Sequence, residues 1–392
     1  MRVGNALTCA TKGDPMAIID ADGHILEPEA MFRELPEEFY PRRPVPVFLP
    51  RDTVRGDFNG CWIIEGKTFP TIGARGRTTF SIPGDERSKS GVVSQESQTL
   101  AEVRKRLADL DRFEIETQVV FPTMFLVSAA EDVKLEGALF QAYNTYMGRA
   151  SVESKGRLRW VALIPFRDPE AAIKEMRRAS DLGAAGIFTM GMVWDRTLDD
   201  SGFFPIYEEA QNLGLPICVH LGWATPPVTN LFSDGRAFFC SATIPVIWGF
   251  VSIMSSGLLT RFPNLRVGFL ETGSMWVPYA IQQLRRRVKP PSVIRGGSGR
   301  PQAASGVDLQ RYADPEEFFR SGRAFVNCEG DEDFRFLLEH LGEDALMCSS
   351  DFPHGDASAE ETFVSNWRGR DDVPERVKKK LLGDNAAHFF RL

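Results

Sequence analysis

Short apolar runs separated by helix-length stretches recur along most of the chain. Eight runs read as strands: Ala17–Ile19, Thr117–Phe121, Trp160–Ile164, Gly186–Thr189, Ile217–His220, Val267–Leu270, Ala324–Asn327 and Leu346–Ser349. The stretch Asp168–Leu182 shows what lies between them. Asp168 can cap a helix, Pro169 suits its first position and Gly183 ends it. Eight such βα repeats predict an α/β fold, a (β/α)8 TIM barrel. A doubly wound open sheet is the runner-up. No GxGxxG follows the first run, and RGGSGR at 295–300 follows a basic helix, so it reads as a flexible loop.

Two segments interrupt the rhythm. Residues about 40–100 are rich in Pro, Gly and Arg and read as an insertion after the first strand. Residues about 288–318 read as a long loop after the sixth helix. Both fall on βα connections, where a barrel carries its active site. The predicted organisation is a tail over 1–15 and one barrel domain over 16–392.

Composition narrows the class. The chain has 392 residues, 43% hydrophobic and 25% charged, which fits a globular enzyme with a large core. A net charge of −7 gives no basic field for nucleic acid. No apolar run reaches the roughly 18 residues of a membrane span, and residues 1–15 do not read as a secretory signal. Cys9, Cys61, Cys218, Cys240, Cys328 and Cys348 form no CxxC, and three of them sit in strand-like runs. They read as reduced core thiols of a cytoplasmic protein.

The candidate chemistry lies at strand ends. In IIDADGHILEP, Asp22 and His24 are two residues apart, so extended backbone turns both to one face. A carboxylate beside an imidazole suits a divalent cation; an exposed turn is the alternative. His220 ends LPICVH, where a satisfied core histidine is the alternative. Asp351 and His354 lie in CSSDFPHGD, where a polar strand cap would also fit. Glu271 follows VGFL and Glu329 follows AFVNC. A carboxylate placed there is costly unless paired or metal-bound. In a barrel these groups converge on one mouth, where one or two divalent cations would relieve their repulsion. His340, near a helix C-terminus, and His388, in the last helix, read as structural.

IIDADGHILEP, RFPNLRVGFLETGSMWVP, CSSDFPHGD and the terminal GDNAAHFF together resemble the amidohydrolase-related family that includes aminocarboxymuconate semialdehyde decarboxylase. The resemblance runs from about Met16 to Leu392. It implies a metal-bearing (β/α)8 barrel. Its usual pattern is HxH on the first strand, His on the fifth and sixth, and Asp on the eighth. By motif, Asp22 and His24 stand in the first pair, His220 on the fifth strand and Asp351 on the eighth. Glu271 replaces the sixth-strand His, and the fourth strand offers no Lys for a carbamate bridge.

The resulting set resembles the family's nonheme di-iron monooxygenase branch, the platensimycin and platencin type. That likeness implies two Fe2+ ions held by Asp22, His24, His220, Glu271, Glu329, Asp351 and His354. It also implies O2, an electron donor and hydroxylation of a hydrophobic, CoA-linked, terpenoid-like substrate. Trp223, Phe238, Phe239 and Trp248 could line its pocket. Arg285, Arg286 and Arg287 could meet CoA phosphates, with a solvated helix face as the alternative. The other functional expectation is a single-metal hydrolase or nonoxidative decarboxylase. It uses one Zn2+ or Mn2+, with Glu271 or His354 as base. A metal-stabilised binding protein without turnover is the third. A homodimer is the family-level expectation.

Overall fold

The computed structural model of the chain describes residues 17–48, 50, 60–69, 93–223, 238–288, 312–355 and 359–392; for 238–241 and 288 only the backbone is described. Strand β1 (Ile19–Ile25) is followed by a three-stranded antiparallel sheet of β2 (Val45–Phe48), β3 (Gly60–Ile64) and β4 (Lys67–Phe69). Then come β5 (Thr117–Pro122), β6 (Leu158–Ala162), β7 (Gly186–Met190), the hairpin β8 (Met192–Val193) and β9 (Arg196–Thr197), β10 (Ile217–His220), β11 (Val267–Leu270), β12 (Ala324–Asn327) and β13 (Leu346–Met347).

Eight of these form one parallel sheet in the order β1-β5-β6-β7-β10-β11-β12-β13. Backbone bonds from Ala21 N to Cys348 O (3.2 Å), Asp351 N to Asp22 O (2.9 Å) and His24 N to Phe352 O (2.7 Å) join its first and last members. The sheet therefore rolls into a (β/α)8 barrel, as the apolar pattern predicts. Helices pack around it. The helix Pro169–Asp181 has the expected cap, with Ala171 N donating to Asp168 Oδ1 at 3.1 Å, and it buries Ala172, Met176 and Ala179 against the barrel.

The insertion contains β2–β4, with Cys61, Trp62 and Ile64 buried. The residues 1–15 assigned to a tail lie outside the described residues. So do 289–311, the greater part of the second long loop; its end forms the helix Pro315–Arg320. Among the described residues no helix is long and apolar enough to cross a membrane.

One strand boundary differs with consequence. The sequence places the first strand at Ala17–Ile19, with Asp22 and His24 just beyond it. The structure carries the strand through Ile25, so both residues lie within it. Asp20, Asp22 and His24 are fully buried, and buried polar positions do not look like strand in an apolar pattern. They are tolerated because each is bonded. Asp20 accepts from Ser350 N (2.8 Å), Ser350 Oγ (2.5 Å) and Gln118 Nε2 (2.7 Å). Gln118 Oε1 in turn accepts from the buried Arg106 Nη1 (2.7 Å), whose Nη2 donates to the His24 carbonyl (2.9 Å). This chain links the helix Val103–Arg112 to both sides of the seam where the barrel closes.

Candidate metal centre

Strand ends bring the predicted groups together at the barrel mouth. Asp22 and His24 come from β1, His220 ends β10, Glu271 follows β11 and Asp351 follows β13. Ligand atoms of Asp22, His24, His220 and Glu271 lie within 4.8 Å of one another, as do those of His24, Glu271, Asp351 and His354. The two groups share His24 and Glu271. His24 Nε2 stands 3.5 Å from Asp22 Oδ1, 3.4 Å from Glu271 Oε2 and 3.4 Å from Asp351 Oδ1. His220 Nε2 stands 3.2 Å from Asp22 Oδ2 and 3.1 Å from Glu271 Oε2.

The ring orientations are set from behind. His24 Nδ1 donates to the Pro122 carbonyl at 3.0 Å and His220 Nδ1 to the Leu221 carbonyl at 2.8 Å. A carbonyl only accepts, so each Nδ1 carries a hydrogen and each Nε2 is turned inward. Burial, with the neighbouring His354 and His220, holds His24 well below the usual imidazole range. Burial pushes the Asp22 carboxyl up, against its attraction to His220. Glu271 and Asp351 both have left-handed backbone, φ 55° and 54°. Such strain in a non-glycine residue persists where the surroundings enforce it, commonly at functional sites.

This arrangement fits a cation. The buried His24 Nε2 has no hydrogen-bond partner, yet three carboxylate oxygens face it. A lone pair turned on anionic oxygens is repulsive until a positive ion stands between them. Ligand atoms about 2.0–2.2 Å from one ion stand roughly 3.0–3.5 Å apart, the spacing seen here. Asp22, His24, His220 and Glu271 form one set that would hold it, and His24, Glu271, Asp351 and His354 form another.

His354, a member of the second group, has Nε2 2.8 Å from Thr123 Oγ1 and Nδ1 2.8 Å from Asp351 Oδ1. Its ring stacks on His24 at 4.0 Å. Glu329 joins neither metal-capable group. It borders a cavity of ≈ 300 Å³ beside the cluster, together with Asn327 and Glu360. Trp223 is buried, but Trp248 is 46% exposed. Side chains of Phe238 and Phe239 lie outside the described residues. Arg285 is engaged by Asp314 and Glu316, and Arg287 bonds its own helix at Gln283, so the basic run reads as a helix face. His340 and His388 bond backbone carbonyls of Phe336 and Gly322.

The sequence pattern passes over several supporting residues. Glu27 is buried, and its carboxylate accepts from Thr123 N (2.9 Å) and Met124 N (2.8 Å). Burial pushes it up to about 8, against those two bonds. Glu27 lies in the quoted IIDADGHILEP segment; Thr123 carries no local signal.

A second feature adjoins the cluster. Phe188, whose ring centroid is 5.8 Å from that of His220, also lines a cavity of ≈ 560 Å³, part of it open to solvent. Phe125, Phe140, Phe166, Met190 and Trp194 contribute its walls, and Glu136, paired with Arg167, a polar edge.

The amidohydrolase family profile matches residues 101–392. The chain belongs to the amidohydrolase family. It is 26% identical over 294 residues to 2-amino-3-carboxymuconate-6-semialdehyde decarboxylase of Dictyostelium discoideum, covering 73% of this chain and 76% of that one. It is 23% identical over 319 residues to gamma-resorcylate decarboxylase of Polaromonas sp., covering 74% and 90%. An amidohydrolase from Mycobacterium avium subsp. paratuberculosis has a similar fold, with TM-score 0.72, 20% identity and coverage of 96% and 98%. So does 5-carboxyvanillate decarboxylase from Novosphingobium aromaticivorans with bound manganese, TM-score 0.68, 18% identity, coverage 96% and 97%.

These relatives correct the functional expectation. The two curated relatives named above are decarboxylases, not oxygenases, so the di-iron monooxygenase reading is overturned. Hydroxylation of a CoA-linked substrate and the two-iron cofactor go with it. The two metal-capable groups overlap at His24 and Glu271. The family and the cluster support a metal-dependent enzyme.

Proposed function

We propose that the chain is a nonoxidative decarboxylase of a small carboxylic acid with an apolar body, dependent on one divalent cation. The observation that carries the proposal is the meeting of three carboxylate oxygens at the buried His24 Nε2, beside an apolar cavity. Either set, two imidazoles and two carboxylates, suits Mn2+, with Zn2+ as the other candidate. Decarboxylase relatives, and the manganese bound by a structural neighbour, support the same reading.

When bound, the cation supplies positive charge that orients and polarises an oxygen of the acid. The chain's residues do the rest. The cavity around Phe188 takes the apolar body. In the reaction the bond to the carboxylate breaks, its electron pair stays on the substrate carbon, CO2 leaves and that carbon takes a proton. No electron acceptor is required. In this proposal His354, with Nδ1 2.8 Å from Asp351 Oδ1, holds that proton. Glu271 serves as a ligand in this scheme.

The test begins with metal content of protein purified without added metal. Manganese- and zinc-loaded samples are then given aromatic and unsaturated acids under anaerobic conditions. About one ion per chain and CO2 release without O2 are expected. Hydrolysis of esters, amides or lactones, with no CO2 from any acid, would overturn the proposal in favour of a hydrolase.

A further inference from the structure

We infer that Gln118 is a positioning residue for the metal centre, because it holds the bulge in β1 that parts Asp20 from the candidate ligands Asp22 and His24. The inference rests on the reading of the cluster as a divalent-cation site, and not on the reaction proposed there.

Strands β1 and β5 do not run in step. Asp20 pairs with Gln118 and Gly23 with Val120, so β1 takes three steps where β5 takes two. Asp20, Asp22 and His24 stand at alternate positions, and an unbroken strand would turn all three to one face. The extra residue breaks the alternation, as bulges beside active sites do. Asp22 and His24 join the cluster, whereas Asp20 belongs to neither metal-capable group and bonds Gln118 and Ser350 instead. The Gln118 amide fills the space that the bulge leaves over Gly23. A Cβ on Gly23 would meet its Nε2 at 2.2 Å and its Cδ at 2.5 Å.

The amide works in one orientation. A guanidinium only donates, so Gln118 Oε1 accepts from Arg106 Nη1 at 2.7 Å, and Gln118 Nε2 is left to donate to Asp20 Oδ2 at 2.7 Å. Arg106 is fixed in turn by the Ser97 carbonyl at 3.0 Å, and it donates to the His24 carbonyl at 2.9 Å. On the other side Asp20 accepts from Ser350 N at 2.8 Å, and Ser350 immediately precedes Asp351. One amide thus ties the backbone of His24 to the segment that carries Asp351. Arg106, Gln118, Asp20 and Ser350 are all fully buried, so bulk water does not replace a lost bond. With leucine at 118, a buried guanidinium N–H and a buried carboxyl oxygen lose their partners together. The bulge also loses what fills it, and Asp22 and His24 shift against the ligands on other strands. Partners that orient ligands from behind are worth about 10–100-fold in metal affinity.

The experiment uses the full chain as wild type, Gln118→Leu and Met176→Ala, stripped of metal and titrated with manganese well below the thermal midpoint of each. Electron paramagnetic resonance counts the unbound ion by its sharp signal, which gives Kd. At saturation the spectrum of the bound ion reports how its ligands are arranged. Gln118→Leu is expected to weaken Kd by about 10–100-fold and to change the bound spectrum. Met176→Ala removes packing from the helix Pro169–Asp181, so it should lower the thermal midpoint and leave both readings as in wild type. Gln118→Met, unbranched and without a polar end, gives the same readout should leucine prevent folding. Wild-type Kd and spectrum in the Gln118 variants would overturn the inference. So would an equal loss in Met176→Ala, since general destabilisation would then suffice. A wild-type chain with no saturable manganese site would overturn the reading of the cluster and the inference with it. None of these results depends on an acid releasing CO2, so the decarboxylase reading stands or falls separately.

Discussion

His24 Nε2 is the atom on which the centre turns. Replacing His24 or His220 with alanine removes an imidazole nitrogen that no neighbouring carboxylate can replace. Metal content measured by elemental analysis is therefore expected to fall from about one ion per chain to a small fraction of it. Glu329→Gln is expected to keep the ion, because Glu329 lies outside both metal-capable groups. Loss of one full equivalent in Glu329→Gln would restore Glu329 as a ligand. The sequence makes most of this cluster legible, since a carboxylate or imidazole directly after an apolar run points into a barrel mouth. It fails at Glu329 for a local reason: Glu332 accepts from the Glu329 backbone N–H at 2.9 Å, and the turn leaves the side chain beside the cluster. Gly23 shows a constraint that spacing cannot express. A Cβ there would stand 2.2 Å from Gln118 Nε2, the atom that bonds Asp20. Gly23→Ala is expected to cost about 2 kcal/mol or more through overpacking and a lost buried bond, read as a lower thermal midpoint. An unchanged midpoint would show that Gln118 moves aside without penalty.

At the scale of elements, the βα rhythm is readable because the barrel strands are short apolar runs with capped helices between them. The hairpin β8–β9 is not, since its two-residue strands carry no periodicity. It nevertheless places Trp194 on the apolar cavity, with backbone at φ 57° and the indole under the Arg167 guanidinium at 4.5 Å. Its far side is pinned by Arg196, which donates to both oxygens of Asp200 at 2.7 and 2.6 Å. That pairing, helped by the Gly202 N–H, lowers the Asp200 carboxyl from 3.8 to about 2. A depressed folded-state value means the native state favours the ionised form. The stabilisation is thus present above pH 3.8 and lost as pH falls towards 2. Asp200 is partly exposed, so solvent screening limits the effect to about 1 kcal/mol or less. Asp200→Asn should melt lower than wild type at pH 6, and the gap should close between pH 4 and pH 2. A gap that persists at the acid end would mean that packing around the asparagine, not charge, sets the difference.

Across the whole molecule, the metal centre and the closure of the barrel are one structure. The residues placed to hold the ion come from β1, β10, β11 and the segment after β13, and β1 meets that segment at the seam. The seam is held by backbone bonds such as Asp351 N to Asp22 O at 2.9 Å, between two of the candidate ligands themselves. A cation there would cross-link the first and last strands of a sheet whose other neighbours are bonded in ladders. It would also offset the repulsion among buried carboxylates that the fold otherwise bears. Binding confined to the folded state stabilises it by about 2.7 kcal/mol at a hundredfold excess over Kd. Manganese or zinc is therefore expected to raise the thermal midpoint of the wild-type chain in a concentration-dependent way, and EDTA to reverse the rise. In His24→Ala the same titration should leave the midpoint nearly flat. An equal rise in both proteins would place the stabilising ion elsewhere on the chain and separate barrel closure from the centre.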